Sequence, residues 1–172
     1  SKQVMLKYQL NTKTPDLLNM VDICDDSDPL NLHVGNRNLK PSKTHYINMT
    51  YSHRVSKDVK YSVIADGTVV SDAIGMAYSL NDKTGTRTYF AKNVNGNWQS
   101  NLRGNVTYSK NALITNFIFG ASHIQNADFV GVGNDIDVTR NIVSTNSINA
   151  TISPSVRIKK HQLGIKLDGI YK

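Results

Sequence analysis

From residue 43 onward, apolar and polar positions alternate in short segments rich in Val, Ile, Thr and Tyr, separated by clusters of Asn, Asp, Gly and Ser. A period of two is the mark of a strand whose successive side chains point to opposite faces. The pattern predicts strands near 3–9, 43–52, 59–65, 68–71, 73–80, 86–92, 102–109, 112–121, 136–143, 148–157 and 162–169. Asp66-Gly67 and Asn95-Gly96 supply the positive φ of two-residue hairpin turns, and Asn81-Asp82-Lys83-Thr84-Gly85 reads as a longer hairpin loop. Neighbouring strands are therefore expected to be antiparallel. In the stretch 113–121, Leu113, Phe117, Phe119 and Ala121 share one face while Ile114 and Ile118 lie on the other, which predicts a central strand covered on both sides with Leu113, Phe117 and Phe119 in the core.

One segment departs from this grammar. Thr14 can cap a helix, Pro15 suits its first position, and Asp16 meets its positive end. Leu17, Met20, Val21 and Cys24 then recur at helical spacing, so a short helix is expected near residues 15–24, closed by the loop Asp25-Asp26-Ser27-Asp28-Pro29. Helix is expected to be scarce elsewhere. All thirteen acidic residues are Asp, none is Glu, and nineteen residues are Asn, a residue that favours turns. The fold class is an all-β single domain over residues 1–172, arranged as an antiparallel sandwich, jelly roll or barrel.

The length fits one core, and no apolar run reaches the roughly 18 residues of a membrane-spanning helix. One cysteine, Cys24, excludes an intrachain disulfide and a cysteine-based metal cage. The opening Ser1-Lys2-Gln3 fits either removal of an initiator Met or cleavage of a signal peptide.

No catalytic constellation emerges. His33, His45, His53, His123 and His161 lack metal-ligand spacing, and no G-x-S-x-G elbow accompanies the serines. Gly131-Val132-Gly133-Asn134 lacks the spacing of a phosphate-binding loop, and Asp22, Asp25, Asp26 and Asp28 lack that of an EF-hand. The expectation is a protein that is not an enzyme and holds no cofactor or metal. The three Asn-x-Ser/Thr triplets at Asn48, Asn105 and Asn149 match what chance gives for so many Asn, Ser and Thr residues.

Charge adds a separate expectation. Residues 37–60 and 140–172 each hold six bases against one Asp, whereas residues 16–28 hold five Asp and no base. Such separation suits contact with a polyanion such as nucleic acid, or between copies of the chain. Around the predicted C-terminal strand, Arg157, Lys159, Lys160 and Lys166 are the candidate contact residues, gathered by a turn or bulge at Lys160-His161.

The leading expectation is a self-assembling structural subunit, of a virion coat or a surface appendage, located on a virion or cell surface. A second is an adhesin or lectin-like binder, with Tyr46, Tyr51, Tyr89 and Trp98 as candidate ligand contacts. A third is a small outer-membrane β-barrel, in which Phe117 to Ala121 would face lipid. The many Asn residues at predicted strand centres weigh against that third reading.

Overall fold

The computed structural model describes residues 1–21, 24–130 and 139–172. Its elements in chain order are β1 (Lys2–Lys13), α1 (Leu17–Met20), β2 (Cys24–Asp25), β3 (Asn31–Val34), β4 (Ser42–Arg54), β5 (Val59–Ser71), β6 (Ala73–Leu80), β7 (Arg87–Val94), β8 (Asn97–Lys110), β9 (Leu113–Val130), β10 (Thr139–Ile158), β11 (His161–Gly164) and β12 (Leu167–Tyr171). The fold is all-β and its main sheet is antiparallel, as the alternation predicts.

The main sheet runs β1-β4-β5-β8-β9-β10, with β11 and β12 both pairing the far side of β10. Apart from the short β11 and β12, its strands are long, from 12 residues in β1 to 20 in β10. Connections on one end of this sheet are short: residues 55–58, 111–112 and 159–160. Connections on the other end are long: 14–41 carries α1, β2 and β3, and 72–96 carries β6 and β7. The ends are called here the turn side and the loop side. On the loop side the connections build a second sheet, ordered β2-β3-β7-β6, in which β3 and β7 run parallel.

The turn chemistry is partly as expected. Gly96 takes a φ of 115° between β7 and β8, and Gly85 a φ of 70° with its N–H donated to the Asn81 carbonyl. Asp66-Gly67 is no turn: both residues sit inside β5, whose two predicted halves form one strand. There Gly67 lies between Ile47 and Ser100, and Asp66 between Asn48 and Asn101. Predicted strands 136–143 and 148–157 likewise join in β10, with positions 136–138 outside the described residues. The predicted strand 162–169 divides into β11 and β12, β2 begins at the last residue of the predicted helix, and β3 lies where no strand was expected.

The helix is shorter than its pattern suggests. It spans four residues, and its cap is Asp16, whose carboxylate accepts the Leu18 N–H at 3.1 Å, rather than Thr14. Leu17 and Leu18 stay exposed, so the helical spacing covers no apolar surface, and Cys24 belongs to β2. Single turns of helix are marginal without packing, and the chain leaves α1 at Val21.

The deepest burial is on the loop side. Leu39, Ala77, Ala91, Val94 and Ala127 are the buried apolar residues among those described, with Ser42 beside them. Away from its loop-side end, where Ser42 and Ala127 lie, the main sheet has no buried side chain among the described residues. Leu113, Phe117 and Phe119, expected inside, are 39%, 47% and 48% exposed. The strand that carries them is central, between β8 and β10, but among the described residues no element covers it at Leu113, Phe117 and Phe119.

Candidate functional site

Following the strand register across the main sheet separates its side chains into two faces. Val4 lies opposite Tyr51, which lies opposite Val63, then Gly104, Phe119 and Ala150. One rung over, Leu6, Met49, Ala65, Leu102, Ala121 and Ile148 form the same kind of row. Both rows lie on one face, since paired residues project together and alternate residues share a side. This face carries no Asp, Lys or Arg between the rung of Lys43 on the loop side and those of Lys2 and Lys110 on the turn side, across β1, β4, β5 and β8.

The opposite face is polar. Gln9, Asn48, Asp66, Asn101, Arg103, Asn105, Asn116, Asn149 and Asp168 all fall on it. Hydrogen bonds run between strands along it: Asn101 Nδ2 donates to Asp66 Oδ2 at 2.8 Å, Thr107 Oγ1 to Asn116 Oδ1 at 2.9 Å, and Thr151 Oγ1 to Asp168 Oδ1 at 2.6 Å. Ser122 and Ser147 pair their hydroxyls at 2.7 Å. The strand-centre Asn residues that argued against a membrane barrel thus share one side, with Asn146 the exception on the apolar face.

Aromatic residues border the apolar face at both ends. Near the turn side stand Tyr51 and Tyr61, with ring centroids 5.8 Å apart, and Tyr108 on β8. Near the loop side stand Tyr8, whose hydroxyl is 2.9 Å from His45 Nδ1, and Trp98, stacked on His123 at 4.3 Å. His123 Nδ1 also lies 2.7 Å from Asn146 Oδ1, while its Nε2 is buried without a hydrogen-bond partner. Trp98 and Tyr108 are ten residues apart on one strand, which is about 34 Å along β8. At the usual tilt of roughly 40° this corresponds to about 25 Å of height, the dimension of the apolar band of outer-membrane barrels.

A shallow groove of about 790 Å³ crosses the middle of the apolar face. Small residues Ala65, Gly67, Ser100 and Ala121 line it together with the larger Leu6, Met49, Leu102 and Ile148. Gly104 has a related role: the Phe119 ring lies against it where a side chain would stand, an aromatic covering a glycine on the neighbouring strand.

An apolar face bounded by aromatics, and left uncovered at its middle by the described residues, is unlike the packed interior of a sandwich. The sequence matches the outer membrane protein β-barrel family over residues 1–172. The chain belongs to that family. Membership favours the small-barrel reading over the assembly-subunit reading, and an outer-membrane or cell-surface location over a virion. No curated protein and no solved structure matches the chain. No helix among the described residues is long and apolar enough to cross a membrane, in keeping with a family that crosses with strands.

The residues singled out from sequence are dispersed in this family member. Tyr51 and Trp98 lie on the apolar face at opposite ends, Tyr46 lies on the polar face, and Tyr89 is in the second sheet, stacked on His33 at 5.1 Å. They line no common ligand site. Arg157, next to the last residue of β10, lies on the polar face, Lys159 and Lys160 form the turn that follows, and Lys166 pairs with Asp168 at 2.9 Å. Lys159, at a φ of 54°, is a turn residue rather than the outward neighbour of a strand pair. What sequence reasoning missed is the charge-free face. Its signal was present in the alternation, because Asn97, Gln99, Asn101, Arg103 and Asn105 hold odd positions of β8 while Trp98, Leu102, Val106 and Tyr108 occupy even ones.

Proposed function

We propose that residues 1–172 form wall of an outer-membrane β-barrel, with the apolar face in lipid, the polar face lining the interior, and the second sheet on the cell-surface side. The observation that carries this reading is the charge-free apolar face, about 25 Å tall at the usual strand tilt and bordered by aromatic rows. Two further features support it. Short connections at one end and long ones at the other match the periplasmic turns and extracellular loops of such barrels. Polar side chains on the opposite face satisfy one another across strands, as a water-lined interior allows. The wall acts by spanning and enclosing, without catalysis.

Trp98 is the sole tryptophan and allows a direct test. In vesicles containing lipids brominated on their acyl chains, Trp98 fluorescence is expected to be quenched most by bromines near the headgroups. With Trp98→Phe as background, Leu102→Trp should be quenched most by bromines deep in the chains, and Asn101→Trp on the opposite face should escape quenching. Equal quenching at 101 and 102 would overturn the assignment of faces.

A further inference from the structure

One rung of the apolar face carries polar atoms. Across β4, β5, β8, β9 and β10 it reads Ile47, Gly67, Ser100, His123 and Asn146, beside the rung of Met49, Ala65, Leu102, Ala121 and Ile148. Both rungs line the groove of about 790 Å³, which opens where the side chains of Gly67, Ser100, Ala65 and Ala121 are short. Trp98 lies one rung further toward the loop side. At the usual strand tilt one rung is about 5 Å of depth, so His123 and Asn146 stand just inside the aromatic border, at the level of lipid acyl linkages.

This polar pair is incompletely satisfied. His123 donates from Nδ1 to Asn146 Oδ1 at 2.7 Å, because a carbonyl oxygen only accepts. In the neutral ring that bond places the proton on Nδ1 and leaves Nε2 as an acceptor, and Nε2 is buried without a partner. The same bond occupies the oxygen of Asn146 and leaves its Nδ2 group, whose two N–H donors reach no acceptor among the described residues. Asn146 is exposed, and hydrocarbon offers it no water. An acceptor beside a pair of donors matches an amide, whose C=O accepts from Nδ2 while its N–H donates to Nε2. An ester matches the donors alone.

We propose that the groove holds an acyl chain of an amide-linked membrane lipid, its linkage hydrogen-bonded to Asn146 and His123, a proposal that rests on the membrane reading above. Because Nε2 is buried, the lipid N–H reaches it by displacing a neighbouring side chain. Trp98, stacked on the ring at 4.3 Å and 38% exposed, has room to turn. Selection is on the linkage, whatever headgroup lies above it.

Sphingomyelin and phosphatidylcholine form a matched pair of probes. They share a headgroup, but the first has an amide and a nearby hydroxyl where the second has two esters. The protein, assembled in cells, is extracted from the outer-membrane fraction in mild detergent and exchanged with an equimolar mixture of the two at mildly alkaline pH. Native mass spectrometry then weighs the adducts. Sphingomyelin is expected to exceed phosphatidylcholine by about fivefold, the scale of one added hydrogen bond. Methylating its amide nitrogen, with the hydroxyl intact, should remove the advantage. His123→Phe keeps a ring against Trp98 and should abolish the preference. Asn146→Leu should lower both adducts, since both lipids carry a carbonyl, and Ser100→Leu should remove both by filling the groove. Equal retention by the parent protein would overturn the proposal, as would a preference that survives His123→Phe or methylation. A lipid-free dimer would give the groove to a second copy and overturn it too. With the protein recovered from the outer-membrane fraction, each of these results leaves the membrane reading standing, whereas recovery only from the soluble fraction removes both.

Discussion

Gly35 and Gly104 both lie where a side chain would collide, yet the obstacles differ. At Gly35 the obstacle is the backbone of Val21, with the carbonyl carbon 2.6 Å from where a Cβ would stand. At Gly104 it is the far end of the Phe119 side chain, on an uncovered face where the ring can swing aside. Gly35→Ala is therefore expected to cost about 1–3 kcal/mol, as overpacking against an unyielding neighbour does, and Gly104→Ala less. Unfolding midpoints in urea check the order, and faster alkylation of Cys24 in Gly35→Ala would locate the damage on the loop side. The same connection holds two acids with stabilised charge. The Ser27 hydroxyl and N–H, both hydrogen-bonded to Asp25, hold its carboxyl below the ordinary value, and the Asn31 side-chain amide and Leu30 N–H do so for Asp28. Because the folded values are depressed, the stabilisation is present above the unfolded value near 4 and is lost as pH falls through the folded values. Loop order, followed by Cys24 alkylation quenched at successive times after an acid pulse, should persist at pH 5 and decline below pH 4.

At the scale of the strand, alternation told which residues share a face but not what each face meets. Leu113, Phe117, Phe119 and Ala121 do share one side, with Ile114 and Ile118 on the other, as their spacing implied. Period-two apolar residues suit a sandwich core and a lipid surface equally, so the spacing of Phe117 points as readily to an interior as to the exposed face on which it lies. Dipeptide signals misled in a related way. Asp66-Gly67 favours a turn locally, but β5 is held by ladders on both sides, and Asn101 satisfies the Asp66 carboxylate. Asn95-Gly96 does turn, because β7 belongs to the second sheet and β8 to the main one, and the chain must pass between them. A lipid-facing strand makes its own prediction. Leu102→Lys should cost roughly 2–4 kcal/mol in vesicles, the price of a base at mid-bilayer depth, while Asn101→Lys, beside Arg103 on the polar face, should change stability little. Equal costs in denaturant titrations would mean that the two faces meet the same medium.

For the whole molecule, the charge segregation visible in the sequence acquires a different meaning once the strands are placed. The acidic stretch 16–28 lies entirely in a loop-side connection, and the basic residues of 140–172 lie at the ends of β10 and beyond, so charge is displaced from the middle of the apolar face. Copy-to-copy attraction is not needed to explain it, because ionised groups at mid-bilayer depth are costly wherever they originate. The deepest burial is on the loop side, and under the proposed membrane placement water surrounds both sides of the structure only there, which favours burial of apolar area. The proposed orientation is one that labelling can read. Cys24 is exposed in β2 on the loop side, whereas Asn111 sits at the two-residue turn between β8 and β9 on the other side. In intact cells, a membrane-impermeant maleimide should modify Cys24 without permeabilisation. A cysteine at Asn111, in a Cys24→Ser background, should react only after the outer membrane is opened. Asn111 has a φ of 54°, a conformation that Asn adopts more readily than Cys, so Ala112→Cys at the same turn serves as the second position. The reverse pattern, with the turn residues labelled first, would place the second sheet in the periplasm and invert the proposed orientation, while leaving the division of the sheet into two faces intact.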